Sequence, residues 1–146
     1  MEYIFMTKDH VSQVADLERL CFSAPWSENA ISAELGNPLS CWLVAVDGRT
    51  VAGYVGSQAV MGEADMMNIA VRPEYRKLGV GRNLVEKLIT CLKDRGNYQL
   101  SLEVRVSNDA AIGLYQKIGF IEVGRRPGYY VKPKEDAIIL RKEWEV

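Results

Sequence analysis

Arg76-Lys77-Leu78-Gly79-Val80-Gly81-Arg82 has residue types and a spacing that suit anion chemistry. It follows the apolar run Met66-Met67-Asn68-Ile69-Ala70-Val71 and opens a series, Val80, Leu84, Leu88 and Leu92, at helical spacing. It therefore reads as a glycine-bearing loop between a strand and the first turn of a helix. The first backbone N–H groups of a helix lack partners, and the dipole there favours negative charge. Gly79 and Gly81 let a ligand approach the backbone closely, and Arg76, Lys77 and Arg82 add positive charge. A pyrophosphate fits this pattern. The dinucleotide fingerprint needs a third Gly or Ala where Leu84 stands, and the Walker pattern needs Gly-Lys-Ser/Thr where Gly81-Arg82-Asn83 stands. What remains is Arg-x-x-Gly-x-Gly after a strand, with a plain tight turn at a helix start as the alternative.

Two further residues carry acid–base chemistry. Glu103 stands in the apolar run Leu100-Ser101-Leu102-Glu103-Val104, and alternation puts it opposite the leucines with Ser101 and Arg105. The plain alternative is a solvent-facing strand residue paired with Arg105. Tyr115 lies four residues past Ala111 on one helical face; the alternative is a core aromatic with its hydroxyl at the rim. Asn108 is by default a helix cap. Trp26 either staples the two N-terminal helices or flanks the site from its loop. Tyr129 and Tyr130 fall in a stretch rich in Arg, Gly, Tyr and Pro. Arg125, Arg126, Lys132 and Lys134 make it basic, and it reads as a solvated loop.

The elements that must position these groups follow from periodicity. The chain has 146 residues, 48% hydrophobic and 25% charged, with a net charge of -1. These values suit one globular domain over 1–146 and argue against a nucleic-acid-binding surface. No run is long enough to span a membrane, and the first residues lack a basic, then apolar, leader pattern. Cys21, Cys41 and Cys91 are odd in number and without Cys-x-x-Cys, so they read as buried thiols in a cytosolic protein, not as a metal cluster. His10 is the sole histidine and lies in a polar turn. A strand at Tyr3–Met6 precedes a helix from Val11 to about Phe22, capped by Thr7 or Asp9. Ser27 caps a short helix, Glu28 to Leu35, closed by Gly36. Strands at Cys41–Val46, Thr50–Gln58 and Met66–Val71 form an antiparallel meander with turns at Asp47-Gly48 and Gly62-Glu63. The long helix ends near Arg95, before Gly96. A strand at Leu100–Val104, a helix capped around Asn108 and ended by Gly119, and strands at Phe120–Val123 and Ala137–Leu140 complete the chain. The order is β-α-α-β-β-β-α-β-α-β-β, and the strand–helix–strand unit after Met66 makes those two strands parallel.

This order, with the Arg-x-x-Gly-x-Gly loop, resembles the GNAT N-acetyltransferase superfamily over essentially the whole chain. Asn68-Ile69-Ala70-Val71, Leu102-Glu103-Val104-Arg105, Ser107-Asn108, Ala110-Ala111, Leu114-Tyr115, Gly119-Phe120, Pro25-Trp26-Ser27-Glu28, Tyr129-Tyr130 and Glu135-Asp136-Ala137 resemble its RimI-like subgroup, the ribosomal-protein alanine N-acetyltransferases. The resemblance implies an α/β (α+β) acyl-CoA N-acyltransferase fold with a mixed, mostly antiparallel central sheet flanked by helices. It implies acetyl-CoA as donor and no metal. The acceptor would be the N-terminus of a protein, a small-subunit ribosomal protein. Glu103 would be the general base through water and Tyr115 the general acid. Backbone groups of Ile69, Ala70 and Val71 would hold the pantetheine arm. The backbone of Lys77, Leu78, Gly79, Val80, Gly81 and Arg82 would hold the pyrophosphate, and Asn108 would touch the CoA arm. Trp26, Tyr129 and Tyr130 would clamp the peptide. A small amine or lysine acceptor, and a CoA-binding sensor without transfer, are the alternatives.

Overall fold

A computed structural model describes residues 1–145. Seven strands form one mixed sheet in the order β1-β2-β3-β4-β5-β7-β6. In chain order the elements are β1 (Glu2–Phe5), α1 (Val11–Cys21), α2 (Glu28–Glu34), β2 (Ser40–Asp47), β3 (Thr50–Val60), β4 (Glu63–Val71), α3 (Val80–Asp94), β5 (Gln99–Arg105), α4 (Asp109–Ile118), β6 (Ile121–Val131) and β7 (Lys134–Glu143). All pairs are antiparallel except β4 with β5. The expected order of elements and the mixed sheet are both present.

The sheet is buried on both faces in its centre, which explains the near-continuous apolar run of β2. Cys41, Leu43 and Ala45 face a layer containing Leu84, Leu88 and Leu92 of α3. Trp42, Val44 and Val46 face the opposite layer, with Val14 and Leu17 of α1 and Ile31 of α2. Period two in the strand thus meets the helical stripes on either side.

Several boundaries differ from expectation. The cap residue of α1 is His10, with no side-chain cap; Thr7 and Asp9 lie in the turn before it, where the Thr7 N–H donates to His10 Nδ1 at 2.9 Å. The two hairpin turns are displaced by one residue, because the pairs that close them are Asp47 with Thr50 and Val60 with Glu63. The central residues are therefore Gly48-Arg49 and Met61-Gly62, with positive φ at Gly48, Met61 and Gly62. Only Cys41 is a buried thiol; Cys21 and Cys91 are half-buried. The stretch expected as a basic loop is the second half of β6, paired with β7 through Arg126–Ala137 and Tyr130–Glu135. Register shifts between those pairs break the alternation that would have announced a strand.

Candidate active site

The site begins where two strands part. β4 and β5 pair only over Glu63–Asp65 and Gln99–Ser101. Beyond that point Met66–Val71 pairs with β3 alone, and Leu102–Arg105 pairs with β7 alone. The β5-facing edge of β4 is therefore without a strand partner across Ile69, Ala70 and Val71. Backbone groups on such an edge are open to a ligand arm lying between the strands.

β4 also carries a bulge. Gly56 pairs with Asn68 and Ser57 with Met66, so Met67 is an inserted residue. In consequence two consecutive side chains face one layer. Met67 packs against the α1/α2 core, and Asn68 Nδ2 donates to Glu18 Oε1 of α1 at 2.7 Å.

The loop after β4 fits an anion. Lys77 and Gly79 both have positive φ, 65° and 80°, while Leu78 between them does not. Such alternation curls the backbone so that successive N–H groups converge. Gly79 is the cap residue of α3 and supplies no side chain to satisfy the first turn, which also holds no acid. The N–H groups of Val80, Gly81 and Arg82 thus remain available, with open space around Gly79. Arg76 folds back, donating through Nε to the Val71 carbonyl at 3.2 Å. Arg82 pairs with Glu86 at 2.7 Å. These residues fit the diphosphate of a CoA donor.

Glu103 and Tyr115 approach the opening from opposite faces of the sheet. Leu100, Leu102 and Val104 pack in the α3 layer, so Glu103 points to the α1/α2 side. Its Oε1 accepts from Arg126 Nε at 3.2 Å, and its side chain is one quarter exposed. The expected partner, Arg105, is engaged elsewhere: it pairs with Glu135 at 3.2 Å, donates to the Pro133 and Lys132 carbonyls, and lies 4.2 Å from the Tyr130 ring centre. Arg105 thereby pins the β6–β7 hairpin. Tyr115 is buried, edge-on to Phe120 at 5.5 Å, and its hydroxyl lies 4.0 Å from Met66 Sδ across the opening. Burial, helped by the field of Tyr130, pushes the Tyr115 hydroxyl up to about 12. Burial likewise lifts Tyr130 to about 12, with Tyr129, Glu103 and Glu135 raising it further and Arg105 opposing. Tyr130 therefore lies within electrostatic reach of Tyr115 on one side and Glu103 on the other.

The remaining expected residues divide. Asn108 caps α4, its Oδ1 accepting from the Ala111 N–H at 3.2 Å, which leaves its amide group for other contacts. Tyr129 is half-exposed and edge-on to Tyr130 at 5.1 Å. Trp26 is half-buried, edge-on to Trp42 of β2 at 5.4 Å, between α1 and α2. Sequence reasoning missed Arg126, because its strand read as loop. It also missed Glu18 and Asn68. The available signal was a carboxylate on the apolar stripe of α1, seven residues after Val11 and four after Val14. Among the described residues no group of three or more His, Cys, Asp or Glu side chains could hold a metal ion, and no helix is long and apolar enough to cross a membrane.

A mixed sheet opened between two parallel strands, with an uncapped helix start above the opening, defines an acyl-CoA-dependent transferase. Residues 11–120 match the Acetyltransferase (GNAT) family, and the chain belongs to it; the protein is an acetyl-CoA-dependent N-acetyltransferase. It is 40% identical over 126 residues to the [Ribosomal protein bS18]-alanine N-acetyltransferase of Escherichia coli, covering 85% of this chain and 84% of that one. The protein of the same name from Haemophilus influenzae is 38% identical over 128 residues, 86% of each chain. The crystal structure of the ribosomal-protein-S18-alanine N-acetyltransferase from Escherichia coli superposes with a TM-score of 0.90 at 34% identity, covering 99% of this chain and 94% of that one. Ard1 from Thermoplasma volcanium shares the fold, with a TM-score of 0.88 at 20% identity over 99% and 98% of the two chains.

Proposed function

We propose that this N-acetyltransferase acetylates the α-amino group of a protein N-terminus, with a small-subunit ribosomal protein as acceptor, in the cytoplasm and by direct transfer within a ternary complex. The observation that carries the reading is the opening between β4 and β5, with a carboxylate on one face and a buried phenol reaching in from the other. The acceptor class is supported by the names of relatives similar over most of the chain.

That geometry supports the following roles. The free edge of β4 at Ile69, Ala70 and Val71 holds the donor's arm, and the backbone from Lys77 to Arg82 holds its diphosphate. Asn108, with its amide group free, meets the arm from the start of α4. The amine enters on the α1/α2 face, between Trp26 and the Tyr129-Tyr130 segment, where Glu103 draws off its proton through water. An α-ammonium has a pKa of about 7.7–8.0, low enough for a carboxylate relay near neutral pH, whereas a lysine side chain at about 10.4 is not. Attack forms the N–C bond and breaks the C–S bond, and Tyr115 donates toward the departing sulfur from the other face. Holding the two reactants side by side removes the entropy of encounter.

The experiment is transfer from acetyl-CoA to a free-Ala peptide by wild type, Glu103→Gln and Tyr115→Phe, with acetyl-CoA affinity measured beside it. Glu103→Gln is expected to lower kcat by about 10²–10⁴-fold and Tyr115→Phe by about 10²–10³-fold, the loss of one transition-state donor, with affinity for acetyl-CoA retained. Wild-type kcat in Glu103→Gln would remove Glu103 from the role of base.

A further inference from the structure

Glu18 is a fully buried carboxyl that the proposed chemistry does not use. It leaves α1 toward the sheet, and its Oε1 accepts from Asn68 Nδ2 at 2.7 Å. Its Oε2 has no hydrogen-bond partner among the described residues, and neither has the Tyr54 hydroxyl beside it. The Tyr54 hydroxyl and, more weakly, the backbone N–H of Trp26 both act on this carboxyl, and neither closes a hydrogen bond on Oε2. A buried carboxylate oxygen left without a partner is costly. Here it stands between two parts of the site. Asn68 lies on the free edge of β4, directly after the bulge. Trp26 lies in the connection between α1 and α2, over the face that Glu103 shares.

We propose that Glu18 is a positioning residue for the transfer. Oε1 holds Asn68, and with it the free edge of β4. Oε2 takes the Trp26 N–H when an acceptor peptide seats against the loop between α1 and α2. The proposal rests on the peptide-acceptor reading and adds a coupling to it: the acceptor loop and the donor strand close on one carboxyl. A bound peptide thereby completes the hydrogen bonding of a group that the free enzyme leaves half-satisfied.

The test is steady-state transfer to a free-Ala peptide by wild type, Glu18→Met and Glu18→Gln, with acetyl-CoA binding and thermal melting alongside. Methionine fills the space and accepts no N–H. It is expected to raise the peptide KM and the acetyl-CoA Kd together and to lower kcat, so that kcat/KM falls about tenfold or more. Melting is expected to stay level or rise, since an apolar side chain replaces a buried carboxyl. Glutamine keeps an oxygen for Trp26 and can donate to a turned Asn68 amide, so it recovers most of the activity. As a second route, Asn68→Asp sets two carboxyls together and is expected to lose activity, which Glu18→Gln in the same chain restores. Wild-type kcat and KM values in Glu18→Met would overturn the proposal, as would a Glu18→Gln enzyme as impaired as Glu18→Met, or a double variant no better than Asn68→Asp. A wild type that acetylates no peptide would instead overturn the acceptor reading, and this coupling with it.

Discussion

Tyr115 meets the reaction with its proton firmly held. Its hydroxyl sits at about 12 because the α4 side chain is buried against Phe120 and Met66, with Tyr130 adding to the shift. A released thiol has a pKa nearer 8.5, so the phenol is the weaker acid of the two. In the proposed transfer, Tyr115 would therefore stabilise the departing sulfur by hydrogen-bond donation without ionising. A pH profile reads this directly. With an α-amino acceptor, kcat/KM should rise to a midpoint at about 7.7–8.0 and stay level to about pH 10. A fall centred near pH 10 would mean a phenol of ordinary acidity and would contradict the burial. At this scale the sequence was partly legible. Alternation placed Glu103 opposite Leu100 and Leu102, as observed, but its ion-pair partner is Arg126 and not Arg105. The partner came from a strand that the pattern did not reveal.

At the scale of elements, the loop between β4 and α3 was the most legible feature, because Gly79 answers a backbone requirement. Gly79 has φ of 80°, where an L side chain is strained. Gly79→Ala is expected to cost about 1–2 kcal/mol of stability from the left-handed conformation alone, although no atom blocks the added methyl. Relaxation of that strain would turn the α3 N–H groups away and weaken acetyl-CoA binding; calorimetry and a melt together check both effects. Helix α1 makes a different prediction. Burial raises the Glu18 carboxyl above its ordinary 4.5, against the lowering by Asn68, Tyr54 and the Trp26 backbone. A folded-state pKa above the unfolded one means that its contribution to stability is full below about pH 4.5 and is lost as pH rises through the folded value. Glu18→Gln cannot ionise, so its melting temperature should gain on wild type as pH rises from acid to neutral. A constant difference across pH would contradict a buried ionising carboxyl. The element that escaped sequence reading was β6. Arg125, Arg126, Pro127 and Gly128 suppress strand patterning, and the register shifts there leave no alternation to find.

The whole molecule was legible in outline because each strand and helix states its period. Alternation along β2 splits between two helical layers, and the α3 stripe of Val80, Leu84, Leu88 and Leu92 is buried as its spacing requires. What the sequence did not disclose is where strands stop pairing. The parting of β4 from β5 after Asp65 and Ser101, and the bulge at Met67, depend on tertiary fit and leave no local mark. Both features shape the candidate site: one is the opening, and the other turns Asn68 toward Glu18. The central claim is that this opening delivers an acetyl group to a protein's α-amino nitrogen. Mass spectrometry with acetyl-CoA and two peptides tests it most directly: one with a free N-terminal Ala, the other blocked at its N-terminus and carrying an internal Lys. Acetylation of the free α-amino group alone is the predicted result. Acetyl on the blocked peptide's lysine, with the free N-terminus untouched, would contradict it.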